Sequence, residues 1–204
     1  MDTLKEAEAC KIVENSFRDI NIAFVNELAM SFSKLGINIK NVIEGASTKP
    51  FAFLPHYPGI GVGGHCIPID PHYLIEYAND AGFEHKFLSL ARKINDAMPK
   101  FAVEQLVSCL AEVGTKSSQT KVALLGLSYK ANVGDDRESP SYEVKKEMLK
   151  VDIDVVTYDP YIAEKSDVSS LDEALKDVDA IFVATPHAEF LSYDYSRCSA
   201  KVFM

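Results

Sequence analysis

The hydrophobic positions of the first 35 residues recur at helical spacing. Val13, Phe17, Ile20, Phe24, Leu28, Phe32 and Leu35 follow one another at steps of three or four. This predicts one long helix from Leu4 to about Leu35, ended by Gly36, with the stripe buried. At about 1.5 Å per residue such a helix spans roughly 45 Å, more than a compact small domain needs and suited to joining domains or subunits. Ile37 to Ala46 reads as a short helix leading into Ser47, Thr48, Lys49 and Pro50. Asp70 and Pro71 have the pattern of an N-cap and first helical residue, opening a helix from His72 to Ala81 with Gly82 past its end. A further helical pattern covers His85 to Ala97, and Pro99 is expected to restart a helix that ends near Gly114.

The texture changes after the polar stretch from Gly114 to Thr120. KVALLGLSY is a continuous apolar run bounded by charge, as expected of a strand buried on both faces of a parallel sheet. A loop (KANVGDDRESP), a helix from about Ser141 to Lys150, a strand (DIDVVTYD), a short helix (SLDEALKDV) and a strand (DAIFVAT) follow. Alternating strands and helices predict an α/β unit whose ligands bind beyond the carboxyl ends of its strands. Ala200 to Met204 looks like the start of a fourth strand. The expected organisation is an all-helical domain over residues 1–98 and a parallel-sheet domain over 99–204, the second cut short at its C-terminus.

One segment stands apart from both patterns. Pro58 to Pro71, PGIGVGGHCIPIDP, packs glycines, a cysteine and an aspartate between two prolines. Glycine at this density costs conformational entropy and suits a backbone held close to a ligand. Cys66 has nucleophilic potential if a helix N-terminus or a cation such as Lys11 stabilises its thiolate. Cysteine is also among the residues most often buried, which is the plain alternative. Asp70 can serve as a general base toward water attacking an intermediate on Cys66, or simply cap the helix; His65 is the alternative base and ranks lower, because its neighbours in an extended segment point to the opposite side. Lys11, Asn15 and Arg18 fall at i, i+4 and i+7, so they share one helix face, either solvated or aimed at a common ligand. Tyr129, Lys130 and Arg137 lie beyond the first strand and can meet an anionic nucleotide, with a charged loop at the sheet edge as the plain alternative. No G-x-G-x-x-G opens the α/β unit, so a dinucleotide site of the usual kind is not expected there.

Composition narrows the partners. The chain has 204 residues, 47% of them hydrophobic and 25% charged, with a net charge of -9. That balance argues against a nucleic-acid surface, and no apolar run approaches the ~20 residues of a membrane helix. The N-terminus lacks a signal-peptide core, so a cytoplasmic protein is expected. Cys10, Cys66, Cys109 and Cys198 are far apart in sequence, which fits neither a structural zinc site nor a disulfide framework, and no metal site is expected.

Four blocks in order, KIVENSFRDINIAFVNE, PGIGVGGHCIPIDPHYL, ARKINDAMP and GLSYKANVGDDRESPS, resemble the UDP-glucose/GDP-mannose dehydrogenase family over essentially the whole chain. The loop version GGHCIP-x-DP is most similar to the branch acting on UDP-N-acetylhexosamines. The resemblance implies an NAD-dependent oxidation of the sugar C6 alcohol, twice, through an aldehyde and a cysteine thioester, to a uronic acid. It implies Cys66 as nucleophile, Asp70 as the carboxylate that activates water, and Lys11 and Asn15 as the pair that stabilises the oxyanion and positions water. It further implies Arg18, Gly63, Tyr129 and Lys130 as substrate contacts and Arg137 as a cofactor contact. The fold implied is a helical central domain followed by a Rossmann-like UDP-sugar-binding domain, with a homodimer formed through the 4–35 helix. NAD would be bound mainly by an N-terminal domain outside these residues, so the chain alone is expected to be inactive. The alternative is a remnant or split-gene subunit acting as a dimerising UDP-sugar-binding module.

Overall fold

The computed structural model describes residues 2–204, and the chain divides into two compact units between Met98 and Pro99. The first unit is helical. Helix α1 (Leu4–Leu35) opens on Thr3 with a capping box: the Thr3 hydroxyl accepts from the Glu6 amide and the Glu6 carboxylate accepts from the Thr3 amide. Helices α2 (Ile39–Ser47) and α3 (Asp70–Asp80) follow, and α4 (Lys86–Glu112) begins in this unit and crosses the division.

Three expectations are corrected here. The apolar stripe of α1 is not buried. Val13, Phe17, Phe24 and Leu35 are more than half exposed, while α1 buries Asn15, Ser16, Asp19, Ala23, Val25 and Asn26. Periodicity says which residues share a face; which face is covered depends on what packs there. Asp70 of α3 and Arg92 and Asn95 of α4 hydrogen-bond to the buried polar face of α1. Second, Lys86 to Glu112 is one helix with Pro99 inside it. A proline in a helix interior costs about 3 kcal/mol, and buried Leu88, Ala91 and Met98 before it and Val103, Leu106 and Leu110 after it hold the helix through the defect. Third, Asp70 is the first residue of α3 rather than its N-cap, which is Ile69 and makes no side-chain cap bond.

The second unit contains β1 (Lys121–Leu125), α5 (Pro140–Lys150), β2 (Asp154–Tyr158), α6 (Leu171–Ala174), β3 (Ala180–Val183), α7 (Ala188–Ser192) and β4 (Val202–Phe203). The strands pair in parallel in the order β2-β1-β3-β4. The central strand β1 is buried on both faces, with Val122, Ala123, Leu124 and Leu125 each at 0% exposure. Each of its leucines contributes roughly 2 kcal/mol on burial. On one side Ala123 and Leu125 pack with Tyr158, Leu171, Leu175, Ile181 and Phe190. The fold is thus a helical domain followed by a Rossmann-like domain, as the pattern predicts. Among the described residues no helix is long and apolar enough to cross a membrane.

Candidate active site

In the helical unit the glycine loop is shaped by its backbone. Gly61 (φ 137°) and Gly64 (φ 92°) take conformations that side-chain-bearing residues rarely adopt. Beyond them the chain winds into α3: the Cys66 carbonyl accepts from the Ile69 amide at 3.1 Å and the Asp70 amide at 2.8 Å. Cys66 therefore sits one turn ahead of Asp70, with its side chain exposed. The Asp70 carboxylate accepts from Asn15 Nδ2 at 2.5 Å, although the two residues are 55 apart in sequence. Asn15 is itself buried, so the bond fixes both the amide and the carboxylate in orientation. Gly63 is half-buried within the loop.

Lys11, Asn15 and Arg18 line one groove of about 490 Å³ with Phe17, Leu54 and His56. The Lys11 ammonium lies 3.5 Å from Glu14 Oε2, so the partner found for Lys11 is this carboxylate rather than the Cys66 thiol. His65 is exposed.

A polar lattice supports this arrangement from behind. Asp19 Oδ1 accepts from Arg92 Nη1 and, at 2.8 Å, from Asn95 Nδ2. Asn95 Oδ1 accepts from Asn26 Nδ2 at 2.9 Å, and Asn26 Oδ1 accepts from the Gly59 amide at 2.9 Å. The chain of bonds runs from α4 through α1 to the start of the glycine loop. Burial pushes the Asp19 carboxyl up, while Arg92 and Asn95 pull it back in part. Asp19, Asn26 and Asn95 were not singled out as candidates. Their signal lay in the ARKIND block and in the polar positions of α1 that share a face with Asn15.

In the α/β unit Tyr129, Lys130 and Arg137 occupy one loop after β1. The Tyr129 amide donates to the Asp135 carbonyl at 3.0 Å, closing the loop on itself. Tyr129 and Lys130 are exposed, and Arg137 pairs with the Asp135 carboxylate at 2.6 Å. Beneath the loop lie Asp159 and His187, each at 0% exposure. Asp159 Oδ2 accepts from the Leu127 and Ser128 amides at 2.6 and 2.8 Å and lies 3.0 Å from His187 Nε2. Burial pushes the Asp159 carboxyl up, but the amides of Ser128, Tyr161 and Leu127 together with His187 outweigh it and hold the group below the usual carboxylate range.

Comparison with known proteins assigns both units. The model for the UDP-glucose/GDP-mannose dehydrogenase family central domain matches residues 5–97, and the model for the UDP binding domain of the same family matches residues 123–203. The chain belongs to the UDP-glucose/GDP-mannose dehydrogenase family. UDP-N-acetyl-D-mannosamine dehydrogenase of Pyrococcus horikoshii is 40% identical over 189 residues, which are 93% of this chain and 44% of that protein. UDP-N-acetyl-D-glucosamine 6-dehydrogenase of Pseudomonas aeruginosa is 34% identical, over 92% of this chain and 46% of that protein. A solved structure of the Pyrococcus horikoshii UDP-D-ManNAc dehydrogenase superimposes with a TM-score of 0.84 at 39% identity, over 93% of this chain and 44% of that one. The chain thus spans less than half the length of these relatives.

Members of this family are NAD-dependent dehydrogenases. At the end of β1, Gly126 has φ 93°, and a Cβ there would meet Thr185 Cβ, carbonyl oxygen and amide nitrogen at 2.6, 2.7 and 2.8 Å. The space this glycine frees is filled by Thr185.

Proposed function

We propose that this chain is the substrate-binding and catalytic portion of an NAD-dependent UDP-N-acetylhexosamine 6-dehydrogenase. It would take UDP-N-acetylmannosamine or UDP-N-acetylglucosamine to the uronic acid in two successive oxidations. The observation that carries the reading is the bond from Asn15 to Asp70, which fixes a carboxylate one helical turn from an exposed cysteine. The names of the relatives supply the substrate class.

Arg137 would contact NAD, which would be held mainly by residues outside this chain and would supply the hydride acceptor for both oxidations. This chain's residues do the rest. The Cys66 thiolate adds to the C6 aldehyde: the C–S bond forms and the carbonyl electron pair moves onto oxygen, which the Lys11 ammonium and Asn15 amide stabilise; as the carbonyl re-forms, C6 would give up its hydride to the acceptor, leaving the Cys66 thioester. Asp70 takes a proton from water as the water oxygen bonds to the Cys66 thioester carbon. The C–S bond then breaks, returning the thiolate and releasing the acid. Arg18 and Gly63 contact the sugar, while Tyr129 stacks on the base and Lys130 pairs with phosphate.

The test is NADH formation from either sugar nucleotide by this chain supplied with an NAD-binding domain of the family. Cys66→Ala is expected to lower uronate formation at least about 10³-fold. An alanine variant that completes the four-electron oxidation at the normal rate refutes the nucleophile assignment. The exposed α1 stripe favours a second reading, a UDP-sugar-binding module that pairs with a second copy through α1. Absence of heat on titrating the chain alone with millimolar UDP-N-acetylglucosamine would leave only assembly.

A further inference from the structure

The buried pair under the β1 loop has a defined proton arrangement. His187 Nδ1 accepts from the Asn132 amide at 2.8 Å, so this nitrogen carries a lone pair and the ring proton belongs to Nε2. Two oxygens face Nε2: Asp159 Oδ2 at 3.0 Å and Ser128 Oγ at 3.1 Å. The Ser128 hydroxyl donates to the Lys130 carbonyl at 3.1 Å, which leaves its oxygen to accept from Nε2–H. The Nε2–H is then shared between Asp159 Oδ2 and Ser128 Oγ, and with Nδ1 accepting the imidazole is neutral.

The anchors come from three strands. Ser128 follows β1, Asp159 follows β2 and His187 follows β3, all at the carboxyl ends where ligands of open α/β sheets bind. Their targets lie on one short segment: the amides of Leu127, Ser128 and Asn132 and the carbonyl of Lys130. Thr185 Oγ1 adds a bond to the Ser128 carbonyl at 2.5 Å. Asn132 is held at φ 60°, and its side chain accepts from the Ala188 amide at 2.9 Å. His187 is fully buried between the rings of Tyr161 and Phe190, with centroids 5.0 and 5.2 Å away, so a bound molecule reaches the loop and not the imidazole.

We propose that His187, fixed by Asp159 as the neutral Nε2–H tautomer, is a positioning residue that presents the Tyr129–Lys130 segment to the uridine diphosphate of a nucleotide sugar. The ligand in this statement rests on the reading given under the proposed function; the tautomer and the pinning of the loop do not.

Three measurements on the full chain test it, with UDP and UDP-N-acetylglucosamine as probes. Nitrogen-15 spectra of histidine-labelled protein at neutral pH should show Nδ1 of His187 unprotonated and Nε2 protonated. The Asn132 amide should be protected from exchange in the wild type and exposed in His187→Phe, which should also bind UDP about tenfold more weakly. His187→Asn places an oxygen near the former Nδ1 and should recover part of both losses, which a general packing defect would not allow. A protonated Nδ1, an unprotected Asn132 amide in the wild type, or UDP binding by His187→Phe equal to the wild type overturns the positioning role. Failure of the wild type to bind UDP overturns the nucleotide reading instead, and is told apart because the spectra and exchange are read without ligand. The spectra also decide the matter should His187→Phe fail to fold.

Discussion

The two units of this chain solve the problem of burial in opposite ways. In the α/β unit the centre is dry and apolar: Val122 to Leu125 are wholly enclosed, and polar groups are buried at the carboxyl ends of the strands, where Ser128, Asp159 and His187 bond to one another. In the helical unit the long helix buries Asn15, Asp19 and Asn26 and turns Phe17 and Phe24 outward. The α/β unit is closed by its own core. The helical unit is held from inside by a lattice of hydrogen bonds anchored on the Arg92–Asp19 pair and presents an apolar face of the kind that marks an interaction surface.

The sharpest way to break this contrast is to remove one partner of the lattice. Arg92→Ala leaves Asp19 buried without its cation, and is expected to destabilise the helical unit by about 3–5 kcal/mol. Exchange protection should be lost at α1 and α3 while the β1 amides keep theirs; equal loss in both units would show that the lattice is not local. Next in size, Leu124→Ala opens a cavity in the sheet and should cost about 3 kcal/mol, with the pattern of protection reversed.

Acid should act on the units with opposite sign. Asp136, Asp159 and Asp167 sit below the ordinary carboxylate range; burial raises Asp159 and Asp167 but their donors prevail, and Asp136 is lowered first by Lys165 and then by Tyr142. Groups depressed in the folded state contribute stability that is present above about pH 3.9 and drains as pH falls through their folded values. Asp19 is raised, so its contribution is fully present below about pH 3.9 and is lost as pH rises through its folded value. Lowering pH from 5 to 3 should therefore weaken the α/β unit relative to the helical one, as followed by amide exchange; a loss confined to the helical unit would reverse these assignments. The smallest effect on stability is expected at the exposed stripe. Phe17→Ser with Phe24→Ser should change it by no more than about 0.5 kcal/mol in a dilute monomer, yet lower the mass seen by light scattering at micromolar protein. An unchanged mass would place any pairing elsewhere.

Much of the fold was legible because it is local. The end of α1, the strand at KVALL and the break before it follow from periodicity and punctuation. The direction in which α1 faces was not, because the stripe at Phe17 and Phe24 states only that these residues lie together. The single helix through Pro99 was hidden for a related reason: the side chains that carry it across the proline are contributed by tertiary packing. In the candidate site, Asn15 and Asp70 were each visible, but the bond between them joins residues 55 apart in sequence. Asp159 and His187 gave no local signal at all. They matter because a parallel sheet gathers the ends of separate strands.

Gly126 and Thr185 carry a consequence for sequence drift. A methyl group on Gly126 would sit 2.6 to 2.8 Å from three atoms of Thr185, two of them backbone. Trimming the threonine side chain removes only one of these obstacles, and the backbone at φ 93° excludes most replacements regardless. Position 126 is therefore closed to single-step variation, while Thr185 is bound by a different constraint, its hydroxyl bond to the Ser128 carbonyl. A lineage could vary the surface around this loop widely and still inherit that glycine and that hydroxyl as a pair.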